Sequence, residues 1–191
     1  YNKNHFAVGC VHPMDDLSDI KLYFIPHWSL FKEEWVEPLK KWVEAGGDLV
    51  VGARTATRDI NNQIIKETAP GCLRNLTGVE VSEYGRRNVG DVKPLILEMN
   101  RHEHEVEHWY ECLEPQPDTR VLARWSNRHF KGEPAITIKE LGQGHVVYVG
   151  TYLTKNLNEL MMDELAKIAS VNKLWEGLPE RAEVVQRRSK K

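Results

Sequence analysis

Trp28 to Asp59 reads WSLFKEEWVEPLKKWVEAGGDLVVGARTATRD, and its two halves follow different periods. Phe31, Trp35, Leu39, Trp42 and Val43 recur three and four residues apart, which puts them on one apolar stripe of a helix. Glu33, Glu34 and Glu37 precede Lys40 and Lys41, the order that a helix dipole favours. Gly46-Gly47 supplies the stop. Asp48 to Arg54 (DLVVGAR) is then apolar without alternation, the mark of a strand covered on both faces. Pro38 is the discordant residue, because proline inside a helix costs about 3 kcal/mol. The stretch therefore predicts either a kink at Pro38 or an irregular first turn ending near Glu34.

Upstream, His5 to His12 (HFAVGCVH) and Ile20 to Pro26 (IKLYFIP) read as two short strands. Downstream, Thr55 to Ala69 is a polar loop turning at Asn61-Asn62; it follows a central strand, where α/β folds place function. Cys72 to Leu76 is a short helix closed by Gly78, and Val79 to Tyr84 alternates as a half-exposed strand does. From Val92 to Leu141 come four β-like runs, KPLILEM, EVEHWYECLE, RVLARWS and PAITIKEL, joined by turn residues rather than helices. That pattern predicts antiparallel pairing. Gly142-Gln143-Gly144 turns into the buried run HVVYVGTYL. A capping box at Asn156 and Glu159 opens a last helix carrying Leu157, Leu160, Met161, Leu165, Ile168 and Ala169. The predicted fold is one α/β domain: a mostly parallel sheet flanked by helices, with an antiparallel, β-rich insertion around residues 92–141.

The chain has 191 residues, 41% hydrophobic and 28% charged, which suits one ordinary domain with a sizeable core. A net charge of −2 creates no demand for nucleic acid. Three widely spaced cysteines, Cys10, Cys72 and Cys112, are an odd number and suit a reducing compartment. There is no signal peptide and no apolar run of membrane-spanning length, so the expected location is the cytoplasm, without a membrane partner. The chain starts at Tyr1 without a methionine. It ends in a basic cluster, Arg187 to Lys191, directly after the strand-like AEVVQ; both ends read as cut from something longer.

Each candidate for chemistry has a plainer reading. His104 to His108 (HEVEH) matches the H-E-x-x-H zinc signature, whose physics needs a helix to bring both imidazoles to one metal. On a strand the two histidines lie roughly 13 Å apart, so no metal site is assigned to His104 and His108. A catalytic cysteine would need a sharp strand-to-helix turn. The corner best placed for one, after Leu49 to Ala53, holds Arg54-Thr55 instead, and Cys10 and Cys112 read as small buried hydrophobes. A glycosidase needs two rigidly held carboxylates, and a barrel carrying them needs about 250 residues. Glu33, Glu34, Glu103, Glu105 and Glu107 read as solvated instead, and no catalytic residue or cofactor is assigned. Gly142-x-Gly144 joins two β-runs and so reads as a hairpin rather than a phosphate loop. Trp35 and Trp42 read as core. Trp109 and Trp125 sit beside charges and are candidates for a protein interface.

The motifs also stand in a recognisable order. Pro26 is followed by Glu44-Ala45-Gly46-Gly47, Leu49 to Val51, Arg54-Thr55, Asp59 and Asn61-Asn62. Then come Pro70 to Glu83 (PG-x-L-R-x-L-x-GV-x-V-x-E), Trp109 to Pro115 (W-x-E-x-LEP), Pro134 to Thr137 and Gly142 to Leu153. From about residue 20 to 175 this resembles the middle, trimerisation domain of glycoside hydrolase family 42 β-galactosidases. The resemblance implies a flavodoxin-like or glutaminase-like fold that is catalytically silent and serves a homotrimer. It also implies a parent enzyme that hydrolyses terminal non-reducing β-D-galactosides with two glutamates on a barrel outside this chain. Residues 1–175 would be the trimerisation domain, and 176–191 a linker and the first strand of a following small β domain. The rival readings are a free-standing glutaminase-like or sugar-utilisation protein with its own small-molecule site, and a zinc hydrolase.

Overall fold

The apolar run after the paired glycines becomes a strand with neighbours on both sides. In the computed structural model, which describes residues 5–88, 90–91, 93–175, 177–179 and 182, β2 (Asp48–Gly52) is buried along its whole length. It pairs in parallel with β1 (Leu22–Ile25), from Leu22↔Asp48 to Ile25↔Val51. On its other side lies β9 (Gly144–Val149), also parallel, from Asp48↔His145 to Gly52↔Val149. Alternation then sends Leu49, Val51, Val146 and Tyr148 to one face of this trio and Val50, Val147 and Val149 to the other. Helix α1 (Val36–Glu44) covers the first face with Leu39 and Val43; helix α3 (Lys155–Ile168) covers the second with Leu157, Met161 and Leu165.

Beyond β9 every pairing in the sheet is antiparallel. β8 (Pro134–Leu141), β7 (Thr119–Trp125), β4 (Leu95–Met99) and β5 (His102–Val106) follow in that order, so the seven-stranded sheet runs β1-β2-β9-β8-β7-β4-β5. The antiparallel segment expected around 92–141 thus extends the same sheet, giving a mixed α/β domain. One run splits: EVEHWYECLE breaks at Glu107-His108 into β5 and β6 (Trp109–Pro115). β6 leaves the main sheet to form a ribbon with β3 (Val79–Arg86).

Pro38 is accommodated by the irregular turn. A 3-10 turn over Glu33–Trp35 leads into α1, and Pro38 is the third residue of the helix. The first four N–H groups of a helix have no partner within it, so an absent one leaves no bond unmade. The Gly142 and Gly144 hairpin lies against the far end of the same helix. Gln143 N–H donates to the Glu44 carbonyl at 3.0 Å, and a Cβ on Gly144 would stand 2.1 Å from the Gly47 oxygen. The second half of the chain therefore caps the helix of the first. A short helix α2 (Arg74–Thr77) follows a 3-10 turn and ends at Gly78 in the left-handed conformation.

Two expectations need correction. His5–His12 forms no strand; Ala7 to Cys10 are exposed, because β1 is the edge of the sheet and no ladder reaches them. The cap of α3 is Thr154 rather than Asn156: its hydroxyl accepts from Leu157 N–H and donates to the Glu105 carbonyl at 3.0 Å. That second bond ties the helix start to β5, which a local capping pattern does not register. Most of AEVVQ, the basic cluster Arg187 to Lys191 and the division after residue 175 fall on residues outside those described.

Candidate functional site

The carboxyl ends of β1, β2 and β9 lie side by side because the three strands are parallel, and such an edge is where α/β sheets present side chains for function. β1 delivers His27, β2 delivers Arg54, and β9 delivers Thr151 and Tyr152. β6 reaches the same edge through a bridge between Tyr110 and Thr151 and a bond from Glu111 N–H to the Gly150 carbonyl at 2.8 Å.

Glu111 is the buried hub, with 2% of its surface exposed. Its Oε1 accepts from the Arg54 N–H at 3.0 Å and from Trp109 Nε1 at 3.1 Å; its Oε2 accepts from the Tyr148 hydroxyl at 2.8 Å. Burial drives the carboxyl above the usual glutamate range, against the lowering effect of these three bonds and the Arg54 charge. Tyr148, wholly buried beside that carboxyl, is raised well above an ordinary phenol, mostly by burial.

Above the hub the side chains form a ladder in which Arg54 and Tyr84 are exposed and Trp109 and Tyr152 are half-buried. Arg54 has φ 64°, a left-handed conformation unusual for a side chain of its size. Its guanidinium lies 4.8 Å from the Trp109 ring centroid and donates to the Tyr152 hydroxyl at 3.2 Å. Trp109 stacks between Tyr84, at 5.7 Å and 22°, and Tyr152, at 6.2 Å and 26°. Tyr84 is 66% exposed. His27 and His108 meet Tyr152 edge-on at 4.2 and 5.7 Å. His27 also gives a hydrogen bond from Nδ1 to the Ala53 carbonyl at 2.9 Å. Its imidazole is held below the usual histidine range, chiefly by burial and also by the Arg54 charge.

The residues singled out in the sequence separate cleanly. Trp109 belongs to the ladder. Trp125 does not: it is 1% exposed and donates from Nε1 to the Glu111 carbonyl at 2.9 Å, so its ring has no surface to offer a partner. His104 lies on β5 and His108 in the turn before β6, so H-E-x-x-H spans a strand end and a turn rather than one helix face. Among the described residues, no group of three His, Cys, Asp or Glu side chains could hold a metal ion. The Cys72 thiol is pushed up to about 11 and the Cys112 thiol to about 12, both mainly by burial, which suppresses the nucleophilic thiolate. Glu33, Glu34, Glu103, Glu105 and Glu107 are exposed.

The sequence reading assigned no role to Glu111, Tyr84, Tyr152 or His27. One signal for Glu111 was present. In the alternation of β6 it shares a side with Trp109 and Leu113, and Leu113 is 1% exposed.

The chain is thus a mixed α/β domain with a buried carboxylate at its strand ends and an aromatic and arginine ladder above it. The β-galactosidase trimerisation domain model matches residues 2–172, and the chain belongs to that family. A β-galactosidase of Geobacillus sp. (strain Y412MC61) is 29% identical over 185 residues, 97% of this chain and 27% of the relative. Among solved structures, the polyextremophilic β-galactosidase from the Antarctic haloarchaeon Halorubrum lacusprofundi superposes with a TM-score of 0.82 at 23% identity, over 89% of this chain and 25% of that one. The β-galactosidase from Rahnella sp. R3 gives 0.82 at 19% identity, over 90% and 26%. The chain thus spans about a quarter of the length of the relatives it matches.

Proposed function

We propose that this chain is the self-association module of a cytoplasmic β-galactosidase, joining three copies of an enzyme that hydrolyses terminal non-reducing β-D-galactosides on a separate catalytic barrel. The observation that carries this reading is the match to the trimerisation family along residues 2–172. The ladder adds a physical reason, since Trp, Tyr and Arg are the side chains that dominate the energy of protein contacts. Within this reading Trp109 is an interface residue, flanked by Tyr84, Arg54 and Tyr152.

The finer fold assignment, a glutaminase-like or flavodoxin-like core that has lost its chemistry, belongs to the same proposal. Its support is the parallel trio with helices on opposite faces and the left-handed residue after β2. A glutaminase-like enzyme would carry its nucleophile on such a corner; here the corner holds Arg54. The rival small-molecule reading would use the cleft beside this corner, lined by Phe24, Pro26, His27, Val149 and Leu153. That cleft encloses about 180 Å³, below the roughly 300 Å³ at which ligand sites begin.

Sedimentation equilibrium and activity assays test the proposal together. The expected result is a reversible trimer with no turnover of β-galactosides or glutamine by this chain. A monomer at every concentration, or real turnover of either substrate, contradicts it.

A further inference from the structure

The β3–β6 ribbon carries a second cluster on the side away from the ladder, and a bulge creates it. Val81 pairs with Leu113 and Glu83 with Cys112, so Ser82 is an extra residue in β3. An extra residue re-aims the side chains beyond it. Without it Glu83 would stand opposite Glu111, on the ladder side. With it Glu83 and Gly85 share a side with Tyr110 and Cys112, while Tyr84 and Arg86 share the other with Trp109 and Glu111. Gly85 leaves room for the tyrosine, since a Cβ there would stand 2.9 Å from Tyr110 Cε1. Glu83 Oε1 then accepts from the Tyr110 hydroxyl at 2.8 Å. The partner from outside the ribbon is His129. Residues 126–133 join β7 to β8 as a strap fastened to the start of β4. Ser126 N–H donates to the Ile96 carbonyl and Asn127 Nδ2 to the Pro94 carbonyl, each at 2.9 Å. At the tip of the strap Phe130 is buried and stacks on Tyr110 at 4.1 Å and 25°. Beside it His129 Nε2 meets Glu83 Oε1 at 2.7 Å. Among the described residues β3 pairs with β6 alone, so its far end depends on one ladder and on this contact.

We propose that His129 and Glu83 form a proton-controlled clasp, which fastens the strap to β3 and so steadies Tyr84 against Trp109. The clasp belongs to the fold and does not depend on the self-association reading. Tyr110 and Cys112 of β6 face the pair, and Glu133 of the strap acts on Cys112 from behind. Arg128 turns away, to the Lys93 carbonyl and Asp91. Burial lifts the Tyr110 phenol and the Cys112 thiol, each to about 12. Both therefore stay neutral while Glu83 and His129 titrate. The bond from His129, and then that from Tyr110, holds the Glu83 carboxyl below the usual range. A free glutamate titrates near pH 4.3 and a free histidine near pH 6.5. The glutamate limb of the clasp is thus present above about pH 4.3 and is lost as pH falls through the lowered Glu83 value. The histidine limb runs the other way. An imidazolium makes the stronger bond, so that limb is present below about pH 6.5 and is lost as pH rises. A neutral ring still donates from Nε2, so the clasp loosens at high pH rather than opening. An exposed ion pair shifts an equilibrium only about two- to fourfold. That vanishes within global unfolding but shows where a strand end opens on its own.

Amide exchange followed by NMR, with each rate divided by the intrinsic rate at the same pH, tests this. Arg87 N–H, bonded to the His108 carbonyl at 2.7 Å just past β3, reports the strand end. The amides of β9 report the core. From about pH 5.5 to about pH 8, wild-type protection at Arg87 should fall about threefold. In His129→Gln and in Glu83→Gln it should start at the lower level and stay there, and the double variant should match the single ones. The β9 amides, which follow global stability, should change with pH alike in all four proteins. Wild-type protection at Arg87 that ignores pH, or that falls equally in His129→Gln, overturns the clasp. So does a loss in either single variant as large at β9 as at Arg87, because that is destabilisation of the whole fold.

Discussion

At the scale of single residues, Glu111 decides the shape of the strand-end edge, and its two oxygens play different parts. Oε1 serves two groups that can only donate, the Arg54 N–H and Trp109 Nε1, while Oε2 faces a hydroxyl that can donate or accept. Glutamine therefore fits the site: its carbonyl keeps both donors and its amide can donate to Tyr148. Glu111→Gln should unfold within about 1 kcal/mol of wild type, whereas Glu111→Leu, which orphans buried donors, should lose about 3 kcal/mol. The pH dependence has a definite sign. The folded carboxyl keeps its proton to higher pH than the unfolded one, which titrates near pH 4.3. Wild-type stability therefore falls as pH rises from about 4.3 through the folded pKa. Glu111→Gln has no such loss, so its advantage over wild type should widen across that window and then level off. Urea unfolding of both proteins at a series of pH values measures it; an advantage that shrinks with rising pH contradicts the assignment. Sequence showed that the corner lacked a nucleophile, since identity alone settles that Arg54 is neither Ser nor Cys. It did not show Glu111, because a glutamate among Glu105, Glu107 and Glu114 looks solvated until β6 leaves the main sheet and turns one of them inward.

At the scale of elements, α1 and β2 were legible because each follows its own period over enough residues to exclude the other. What borders them was less so. The Gly142-x-Gly144 hairpin reads as a turn, and it is one, but its glycines are also needed for contact with a helix about a hundred residues away. Gly144 sits where any Cβ would meet the Gly47 and Val43 carbonyl oxygens, at 2.1 and 2.5 Å. Gly144→Ala should therefore lower stability by about 2 kcal/mol or more, through displacement of the β8–β9 hairpin from α1. Pro38→Ala, at a helix position needing no N–H, should stay within about 1 kcal/mol of wild type. Denaturant midpoints of the two variants make the comparison, and equal losses would contradict this account. The strand expected at His5–His12 that does not form and the cap expected at Asn156 that lies at Thr154 share one cause. Both depend on whether a partner from elsewhere in the chain arrives, and local pattern is silent on that.

At the scale of the whole molecule, Arg54, Tyr84, Trp109 and Tyr152 gather on one edge of the sheet. If this edge joins copies into a trimer, stability must depend on concentration, because assembly draws on the folded state and not the unfolded one. The melting temperature should rise by several degrees when the chain concentration is raised about a hundredfold. A melting temperature that does not move across that range contradicts assembly. Among the described residues no helix is long and apolar enough to cross a membrane.

Sequence by itself determined the elements whose reasons are local: the amphipathic α1, the buried β2, the glycine stops, the antiparallel character of the middle segment and the order of motifs that marks the trimerisation family. Periodicity and side-chain identity do not depend on where the chain goes next. Tertiary structure alone decided that the antiparallel strands join the parallel sheet, that β5 and β6 part company, that Trp125 is core while Trp109 is surface, and that Glu111 lies beneath a strained Arg54. The last of these rests on contacts between residues 54, 109, 111, 148 and 152. Distant segments of this kind meet only after the sheet has closed, and the burial that sets the Glu111 carboxyl exists only then.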